Sequence, residues 1–388
     1  MTSGTANDRE DPLKKALTHA LAFWAVAGPL WVLVGAALRG KFALDFRHAF
    51  LPAAHAVLHG HSPYSAIGSR ALSEGTAFLY PPLGAYLLAP FTLLPPLVAE
   101  ITAVVLVAAA VPATLLVLGV RDWRCHAIAF LWWPTLIAIQ TGNLTLPMLL
   151  GVALIWRYRD RAVVAALLTG AVVALKLFFW PLLVWLVATR RYRSAAIAAL
   201  SSVLLILLPW AGIRFSGLRG YPHLLSTVSS SEGPHSYSVA ALLHAAVPSW
   251  TAATIAETAV GCALLLLVLA AGRRLRDRDA FALSVVAVLV LTPLLEMHYL
   301  AALLVVVALY QRRFGLAWLA PLLIWGASAT MASSTIQVLH VLVATAASIG
   351  LAVTGWSWDA PPGSPKPRLS KRLAAPGRKG AGPSLAPP

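Results

Sequence analysis

The residues that could do chemistry concentrate in one segment near the N-terminus. Residues 44–65 read LDFRHAFLPAAHAVLHGHSPYS and hold an aspartate, an arginine and four histidines, in a chain of which only 11% is charged. A carboxylate that lies within hydrogen-bond reach of a hydroxyl group can act as its general base. Asp45 is therefore a candidate base. The alternative interpretations are a helix cap or an ion-pair partner of Lys41 or Arg47.

Long apolar runs must position this segment, because 59% of the 388 residues are hydrophobic. A bilayer core of about 30 Å is crossed by about 20 apolar residues in a helix, and runs of that order recur along the chain. The composition predicts an all-α polytopic membrane protein with about 10 to 12 full or partial spans. The first run, residues 16–38, is interpreted as a transmembrane helix because it is too long for a signal peptide and further spans follow.

The net charge of +16 does not predict a nucleic-acid partner, because the basic residues form short clusters between apolar runs. Such clusters are typical of cytoplasmic loops. They predict a cytoplasmic N-terminus (1–15), a transmembrane domain (16–358) and a basic cytoplasmic tail (359–388). The tail is rich in Pro and Gly, so we expect it to be disordered and to contact anionic membrane lipids. The stretches expected to face outward are 41–78, 212–238 and 292–299.

Two apolar regions do not fit simple spans. If residues 80–95 and 97–120 both crossed the membrane, the basic cluster at Arg121 would lie outside, so one of them is predicted to be a partial span. A later apolar run carries the polar sequence QTGN at its middle. Two short helices that rise to this turn would place Gln140 and Asn143 beside an outward cavity.

Few ionisable residues remain for an outward site. Of the 14 acidic residues, those expected to face outward are Asp45, Glu74, Glu232 and Glu296. Lys176 is the only charged residue between Ala162 and Thr189, and charged side chains within a membrane usually face a cavity or a partner. The alternative for Lys176 is a side chain that extends to the lipid headgroups.

Four segments resemble, in this order, the signatures of glycosyltransferase family 87: LDFRHAFLPAAHAVLHGHSPYS, FLYPPLGAYLLAPFTLLP, QTGNLTLPMLLGVALIW and LLTGAVVALKLFFWPLLVWLVATRRYRSA. The resemblance extends from about residue 17 to about residue 310. It implies the GT-C fold of membrane enzymes similar to actinobacterial polyprenyl-phosphate-mannose-dependent α-mannosyltransferases. The implied reaction moves a sugar from a polyprenyl-phosphate donor to a glycolipid or cell-envelope glycan on the outer face of the plasma membrane. Mannose is the expected sugar, with a pentose such as arabinofuranose as the alternative, and no cofactor is implied.

The resemblance also implies roles for individual residues. Asp45 matches the acidic catalytic residue of the first outer loop and would accept the proton of the incoming hydroxyl. The departing phosphate needs positive or hydrogen-bonding groups, because charge develops on it in the transition state. The candidates for that role are Arg47, His48, His55, Lys176 and His298. The family's in-line attack with a single base would invert the anomeric carbon.

The segment LTPLLEMHYL (291–300) departs from the family pattern. Family members often carry a serine-tryptophan pair followed by two histidines there, whereas this chain has Glu296 and His298. Glu296 thereby becomes a rival for the base, or else a helix cap. His298 can still donate a hydrogen bond to a phosphate or sugar oxygen.

The other predicted substrate contacts each have a structural alternative. Tyr237 lies in SYSVAALLHA, which resembles a family segment but lacks its usual asparagine. Tyr80 precedes two prolines that could simply begin a helix. Gln140 and Asn143 could bind sugar hydroxyls or could satisfy the backbone of a turn within the membrane.

Metal binding and two rival functions complete the predictions. A zinc site among His48, His55 and His59 is geometrically possible, but Asp45 is the only carboxylate near them in sequence, so no metal is predicted. The two cysteines lie outside any motif and predict neither a disulfide nor a zinc site.

The rival functions are a lipid-linked sugar flippase or transporter, which would normally show repeated halves, and a structural partner in a cell-envelope complex.

Overall fold

The computed structural model describes residues 12–272, 274–329 and 331–355, and these residues form helices without any strand. The predicted tail (359–388) and residues 1–11 of the predicted N-terminal region lie outside the described residues. The described helices are α1 (Pro12–Leu38), α2 (Leu51–Leu58), α3 (Arg70–Ser73), α4 (Pro82–Leu88), α5 (Pro96–Val117), α6 (Trp123–Ala129), α7 (Trp133–Thr141), α8 (Thr145–Arg157), α9 (Ala162–Leu175), α10 (Pro181–Ala188), α11 (Tyr192–Gly212), α12 (Tyr221–Glu232), α13 (Val239–His244), α14 (Trp250–Ala271), α15 (Asp277–Val290), α16 (Leu303–Tyr310), α17 (Leu316–Leu319) and α18 (Thr335–Thr354). Short 3₁₀ segments cover Ala89–Leu93, Leu177–Phe179, Gly233–His235, Met297–Ala302 and Ala320–Ile324, and a π-helical turn covers Phe46–Phe50.

Five of the described helices are long and apolar enough to cross a membrane: α1, α5, α11, α14 and α18. Their candidate spans are between 20 and 24 residues long, which at about 1.5 Å per residue matches the thickness of a bilayer core. Shorter apolar helices lie between them. The predicted all-α polytopic membrane fold, with full and partial spans, is confirmed.

Of the two runs 80–95 and 97–120, one of which is predicted to be a partial span, the structure makes the first one short. Helix α4 and the 3₁₀ segment Ala89–Leu93 together form an apolar element too short to cross a bilayer, and α5 then crosses by length. Proline occupies the first turn of both α4 and α5. Because proline has no N–H to donate and a fixed φ, it favours helix starts at these positions.

The QTGN sequence forms the predicted polar turn. The chain bends there by 117° between helices α7 and α8. Gly142 ends α7 with φ +68°, and a Cβ at this position would lie 2.9 Å from the Cβ of Phe46. A residue with a side chain is thus disfavoured by both backbone conformation and space.

Three pairs of short helices are each joined by a turn, and we call these pairs the hairpins: α7 with α8, α9 with α10, and α15 with the 3₁₀ segment Met297–Ala302 and α16. Helices α8, α9 and α15 have 13 or 14 residues, which corresponds to about 20 Å. This length is about two thirds of a bilayer core. We call the three turns the apices: residues 142–144, 176–180 and 291–296.

The opposite ends of these hairpins are joined by ion pairs. Asp277, which begins α15, lies 2.9 Å from Arg191 after α10 and 3.2 Å from Arg159 after α8. The hydroxyl of Tyr310, at the end of α16, donates to Asp279 over 2.9 Å. We call Arg159, Arg191, Asp277 and Asp279 the base network. The base network thus holds together the ends of all three hairpins that lie away from the apices, and the apices converge at the opposite end.

Candidate active site

Two of the apices meet the loop after α1 around one cavity. This polar cavity is lined by Asp45, Ala49, Phe50, Gly75, Ala77, Leu79, Tyr80, Asn143, Val228, Glu232, Glu296 and Tyr299. Its lining contains three carboxylates that are far apart in sequence. The short hairpins thus create a polar chamber where an uninterrupted span would place only apolar residues.

Asp45 is held by the QTGN turn. The amide Nδ2 of Asn143 donates a hydrogen bond of 2.6 Å to Asp45 Oδ2. The Asn143 Oδ1 accepts hydrogen bonds from the backbone N–H and the hydroxyl of Thr145, at 3.0 and 2.8 Å. Because Oδ1 is committed to these donors, Nδ2 must point toward Asp45. The carboxylate therefore has a defined orientation at the edge of the polar cavity.

The structural alternatives for Asp45 are not observed. Its side chain makes no helix-capping hydrogen bond, and Arg47 pairs instead with Glu100, through two contacts of 2.8 and 2.5 Å. Burial raises the pKa of the Asp45 carboxyl above its ordinary value, against the opposing effects of the Asn143 hydrogen bond and the charge of Lys176. Asp45 thus lines the cavity without an ion-pair partner among the described residues.

Lys176 lies at the second apex and is only 9% exposed. Its Nζ is 3.3 Å from the ring centroid of Tyr299 and 4.9 Å from that of Tyr80, and it donates to the Tyr80 hydroxyl at 3.4 Å. Within the described part of the chain, no carboxylate lies within 4 Å of this ammonium group. Aromatic faces stabilise the cation, so Lys176 points into the protein and does not extend to the headgroups.

A second cavity begins where Lys176 lies. It has a volume of about 280 Å³. Its lining comprises Leu79, Tyr80, Pro81, Lys176, Leu177, Phe178, Tyr221, Leu225, Ser226, Val228, Ser229, Pro293, Leu294 and Tyr299. We call it the apolar cavity. Tyr80 and Tyr299 line both cavities, so the two spaces adjoin beside the ammonium group of Lys176.

The third apex contributes Glu296, Tyr299 and His298. The Tyr299 hydroxyl donates to Glu296 Oε1 at 3.4 Å, and His298 Nδ1 lies 3.6 Å from Glu296 Oε2. His298 is buried, and its Nε2 has no hydrogen-bond partner among residues 12–272, 274–329 and 331–355. Glu296 lines the same cavity as Asp45, so the rivalry between the two carboxylates persists in the structure.

Two lining residues were not selected as site residues from the sequence. Glu232, at the end of α12, faces the polar cavity, and burial raises the pKa of its carboxyl. It belongs to the outward acidic set that the charge pattern had isolated. Tyr299, which contacts both Lys176 and Glu296, lies beside His298 in sequence. Nothing in the apolar context of Tyr299 indicated that it would form a wall between two cavities.

Several predicted site residues lie away from the lining of these cavities. His48 and His55 are exposed, and Arg47 forms an ion pair with Glu100. The hydroxyl of Tyr237 donates to the backbone oxygen of Ser328 at 2.9 Å. Gln140 donates to the backbone oxygen of Lys41 at 3.3 Å and thereby joins the QTGN turn to the loop that carries Asp45.

The described residues offer no metal centre, since no group of three or more His, Cys, Asp or Glu among them is arranged to hold an ion. The chemistry available to the site is that of carboxylates, an amide, tyrosines and one lysine. These groups can bind hydroxyls, remove a proton and stabilise an anion.

Comparison with known proteins gives one match. The family model of glycosyltransferase family 87 matches residues 78–295, more than half of the chain. This range includes Tyr80, Asn143, Lys176 and Glu232, and it ends immediately before Glu296. No curated protein and no solved structure gives a significant match.

Proposed function

Because the chain belongs to glycosyltransferase family 87 and is a multi-pass membrane glycosyltransferase, we propose that it transfers mannose from a polyprenyl-phosphate donor. The acceptor in this proposal is a lipid-linked or cell-envelope glycan at the extracytoplasmic face of the plasma membrane. The observation that carries the proposal is the junction of two cavities at Lys176. One cavity suits a sugar, the other suits a prenyl chain, and a phosphate would lie between them.

The lining of the polar cavity supplies the hydrogen-bonding groups that a sugar ring requires. Asp45, Glu232 and Glu296 can accept hydrogen bonds from sugar hydroxyls, and Tyr80 can both donate and accept. The aromatic faces of Phe50, Tyr80 and Tyr299 supply apolar surface against which the carbon skeleton of a sugar can pack.

The apolar cavity supplies the complementary environment for the lipid part of the donor. Its lining is dominated by leucine, valine, proline and aromatic side chains, which would exclude water from an isoprenoid chain. The single cation in that lining, Lys176, lies where the cavity reaches Tyr80 and Tyr299. A phosphate between the two cavities would therefore contact the ammonium group directly.

In the proposed reaction, Asp45 accepts the proton of the acceptor hydroxyl as the hydroxyl oxygen attacks the anomeric carbon. A new carbon–oxygen bond forms, and the bond between the anomeric carbon and the phosphate oxygen breaks. The electron pair of the broken bond leaves with the polyprenyl phosphate, whose additional charge is stabilised by Lys176. Attack from the face opposite to the leaving group converts a β-linked phosphosugar into an α-glycoside.

Asp45 is the preferred base because Asn143 orients it and because its two oxygens are not shared with a cation. Glu296 instead accepts a hydrogen bond from Tyr299 and lies beside His298. These neighbours hold its carboxylate in place to accept hydrogen bonds from a substrate. We assign Glu296 to substrate binding, with catalysis by Glu296 as the alternative that mutagenesis must distinguish.

The decisive experiment is a transfer assay in membranes from cells that express the chain. Radiolabelled polyprenyl-phosphate mannose and polyprenyl-phosphate arabinofuranose are supplied in parallel with a lipid-extract acceptor. We expect label from the mannosyl donor in a new glycolipid or glycan, and no label when Asp45→Asn replaces the parent. Transfer only from the arabinosyl donor would correct the sugar. Movement of labelled donor across sealed vesicles without transfer would support a flippase instead.

A further inference from the structure

A wider groove lies on the other side of the QTGN turn from the polar cavity, between α1, α7 and the segment near residue 325. Its volume is about 890 Å³, within the range of about 300 to 1,000 Å³ typical of ligand sites. Trp24, Trp31, Trp133 and Trp325 line it. Gln140 lines the groove and Asn143 lines the polar cavity, so one turn of backbone separates the two spaces.

Charge is concentrated at one end of this groove. Arg39 and Lys41 are exposed there, and the lining contains no acidic residue. In the portion of the chain that the structure covers, neither cation has a carboxylate within 4 Å. The Arg39 guanidinium folds back over Gly35 of α1: a Cβ at Gly35 would lie only 3.3 Å from one of its nitrogens. The groove therefore combines a cationic end with a long apolar floor.

One polar group in the groove also lacks a partner. The indole Nε1 of Trp133 is buried and has no acceptor among the described residues. The indole of Trp325, packed at 4.8 Å from the Trp133 ring, donates instead to the backbone oxygen of Leu131. A buried donor without an acceptor is costly, and rotation of this indole toward the groove would let an oxygen atom of an occupant accept its hydrogen bond.

We propose that this groove binds one anionic glycerophospholipid from the surrounding membrane. Its phosphodiester lies between Arg39 and Lys41, its ester oxygens are within reach of the tryptophans, and its acyl chains follow the apolar floor. Charge complementarity selects an anionic headgroup, since the cations have no acidic partner in the lining. Tryptophan is typical of the boundary between headgroups and acyl chains.

The position of the groove gives this lipid a role in the active site. Helix α1 is packed loosely, with only 6% of its membrane-spanning window buried. The chain leaves α1 at Leu38 and reaches Asp45 seven residues later, while Lys41 accepts a hydrogen bond from Gln140. A lipid between α1 and α7 would fasten α1 to the hairpin that orients Asp45. Binding of the lipid does not depend on the proposed function, whereas its effect on sugar transfer does.

The test uses the full chain in nanodiscs made of phosphatidylcholine alone or with phosphatidylglycerol, followed by mass spectrometry of the lipid retained after partial delipidation. The parent is expected to retain phosphatidylglycerol selectively. R39Q/K41Q is expected to bind it about 25-fold more weakly, because each cation near anionic lipid contributes a factor of about five. Gly35→Leu, which fills the groove without removing charge, is expected to reduce retention as well.

Two controls separate this proposal from the proposed function. R214Q/R219Q removes the same charge from the loop after α11 and should leave retention unchanged. Asp45→Asn should bind phosphatidylglycerol like the parent even though it transfers no sugar. Equal retention of both lipids by the parent, or unchanged retention in R39Q/K41Q, would overturn the proposal. Glycosylation of the retained phosphatidylglycerol would also overturn it, since the groove would then be an acceptor site.

Discussion

The three hairpins have opposite electrostatic designs at their two ends. At the base network, Arg191 and Arg159 lie 2.9 and 3.2 Å from Asp277, so cations and carboxylates neutralise one another. At the apices, Lys176 lies against tyrosine rings, with no carboxylate within 4 Å of it among the residues that the structure describes. Asp45 is held by an amide. The charged groups of the base network hold helices together, whereas Lys176 and Asp45 at the other end remain available for a ligand.

This difference is physically consistent. A lysine that contacts only aromatic faces can bind an incoming phosphate directly, whereas a lysine in an ion pair would first have to exchange partners. Lys176 can remain without an ion-pair partner because the ion pairs of the base network already position the helices that carry the apices. Substitutions at the apices should therefore change catalysis, and substitutions in the base network should change stability.

The largest expected effect concerns which end faces outward. The test uses a chain whose native cysteines are replaced. His61→Cys lies three residues before Tyr64, whose hydroxyl donates to Tyr80 at the polar cavity, and Arg193→Cys lies two residues after Arg191 of the base network. We expect an impermeant thiol reagent to label intact cells at residue 61 and to label residue 193 only after permeabilisation. The opposite pattern would place the polar cavity on the cytoplasmic face and contradict the proposed donor.

The next largest effect is expected from removing the general base, Asp45. Asp45→Asn keeps the shape and most hydrogen bonds of the side chain but cannot accept a proton. Sugar transfer should fall by about 10² to 10⁴, with donor binding and thermal stability close to those of the parent. Glu296→Gln is the matched control and should lose less activity. If Glu296→Gln is inactive and Asp45→Asn is active, the base is Glu296.

Replacement of the apical cation should follow in size. Lys176→Met preserves length and apolar packing against Tyr80 and Tyr299 but removes the charge that would stabilise the leaving phosphate. We expect the turnover rate to fall by about 10² to 10³, a typical cost of losing one preorganised electrostatic group. Lys176→Arg should recover part of the rate. A rate unchanged in Lys176→Met would show that the phosphate is held elsewhere.

The pH dependence of transfer tests the state of Asp45. A base works only when deprotonated, and burial raises the pKa of Asp45 above the ordinary 3.8. Activity should therefore be full above that raised pKa, and as pH falls it should be lost earlier than for an exposed aspartate. Below the midpoint, kcat/KM should fall about tenfold per pH unit. The acid limb should persist in Glu296→Gln, and its disappearance there would assign it to Glu296.

The smallest effect on catalysis is expected at the base network. Asp277→Asn removes the charge that pairs with Arg159 and Arg191, at a site where these side chains are partly exposed. We expect a loss of about 1 to 2 kcal/mol in stability, measured as a lower melting temperature in detergent, with transfer reduced less than about threefold. A large loss of transfer without a loss of stability would remove the distinction between the two ends.

Part of this arrangement was predictable from local sequence. Apolar runs of bilayer length and basic clusters between them predict the all-α membrane fold, because each run must satisfy its own backbone hydrogen bonds in lipid. Charge parity predicted that one of the runs 80–95 and 97–120 is a partial span, and the structure decided that it is the first. The QTGN turn followed from polar residues within an apolar run. Lys176 could be singled out because a lone charge in such a run needs a partner.

The assembly of the site depended on contacts between distant residues. The sequence predicts that Asp45 faces outward, but only the folded chain puts Asn143 at 2.6 Å from it, pairs Arg47 with Glu100 and brings Glu232 to the same cavity. Charge and hydropathy patterns report the depth of a residue along the membrane normal, because burial in lipid acts on each segment separately. They contain no information on which helix faces which, since side-chain packing among several hairpins sets that geometry. Sequence therefore determined the fold class and the level of the reactive residues, and tertiary packing decided which of them meet.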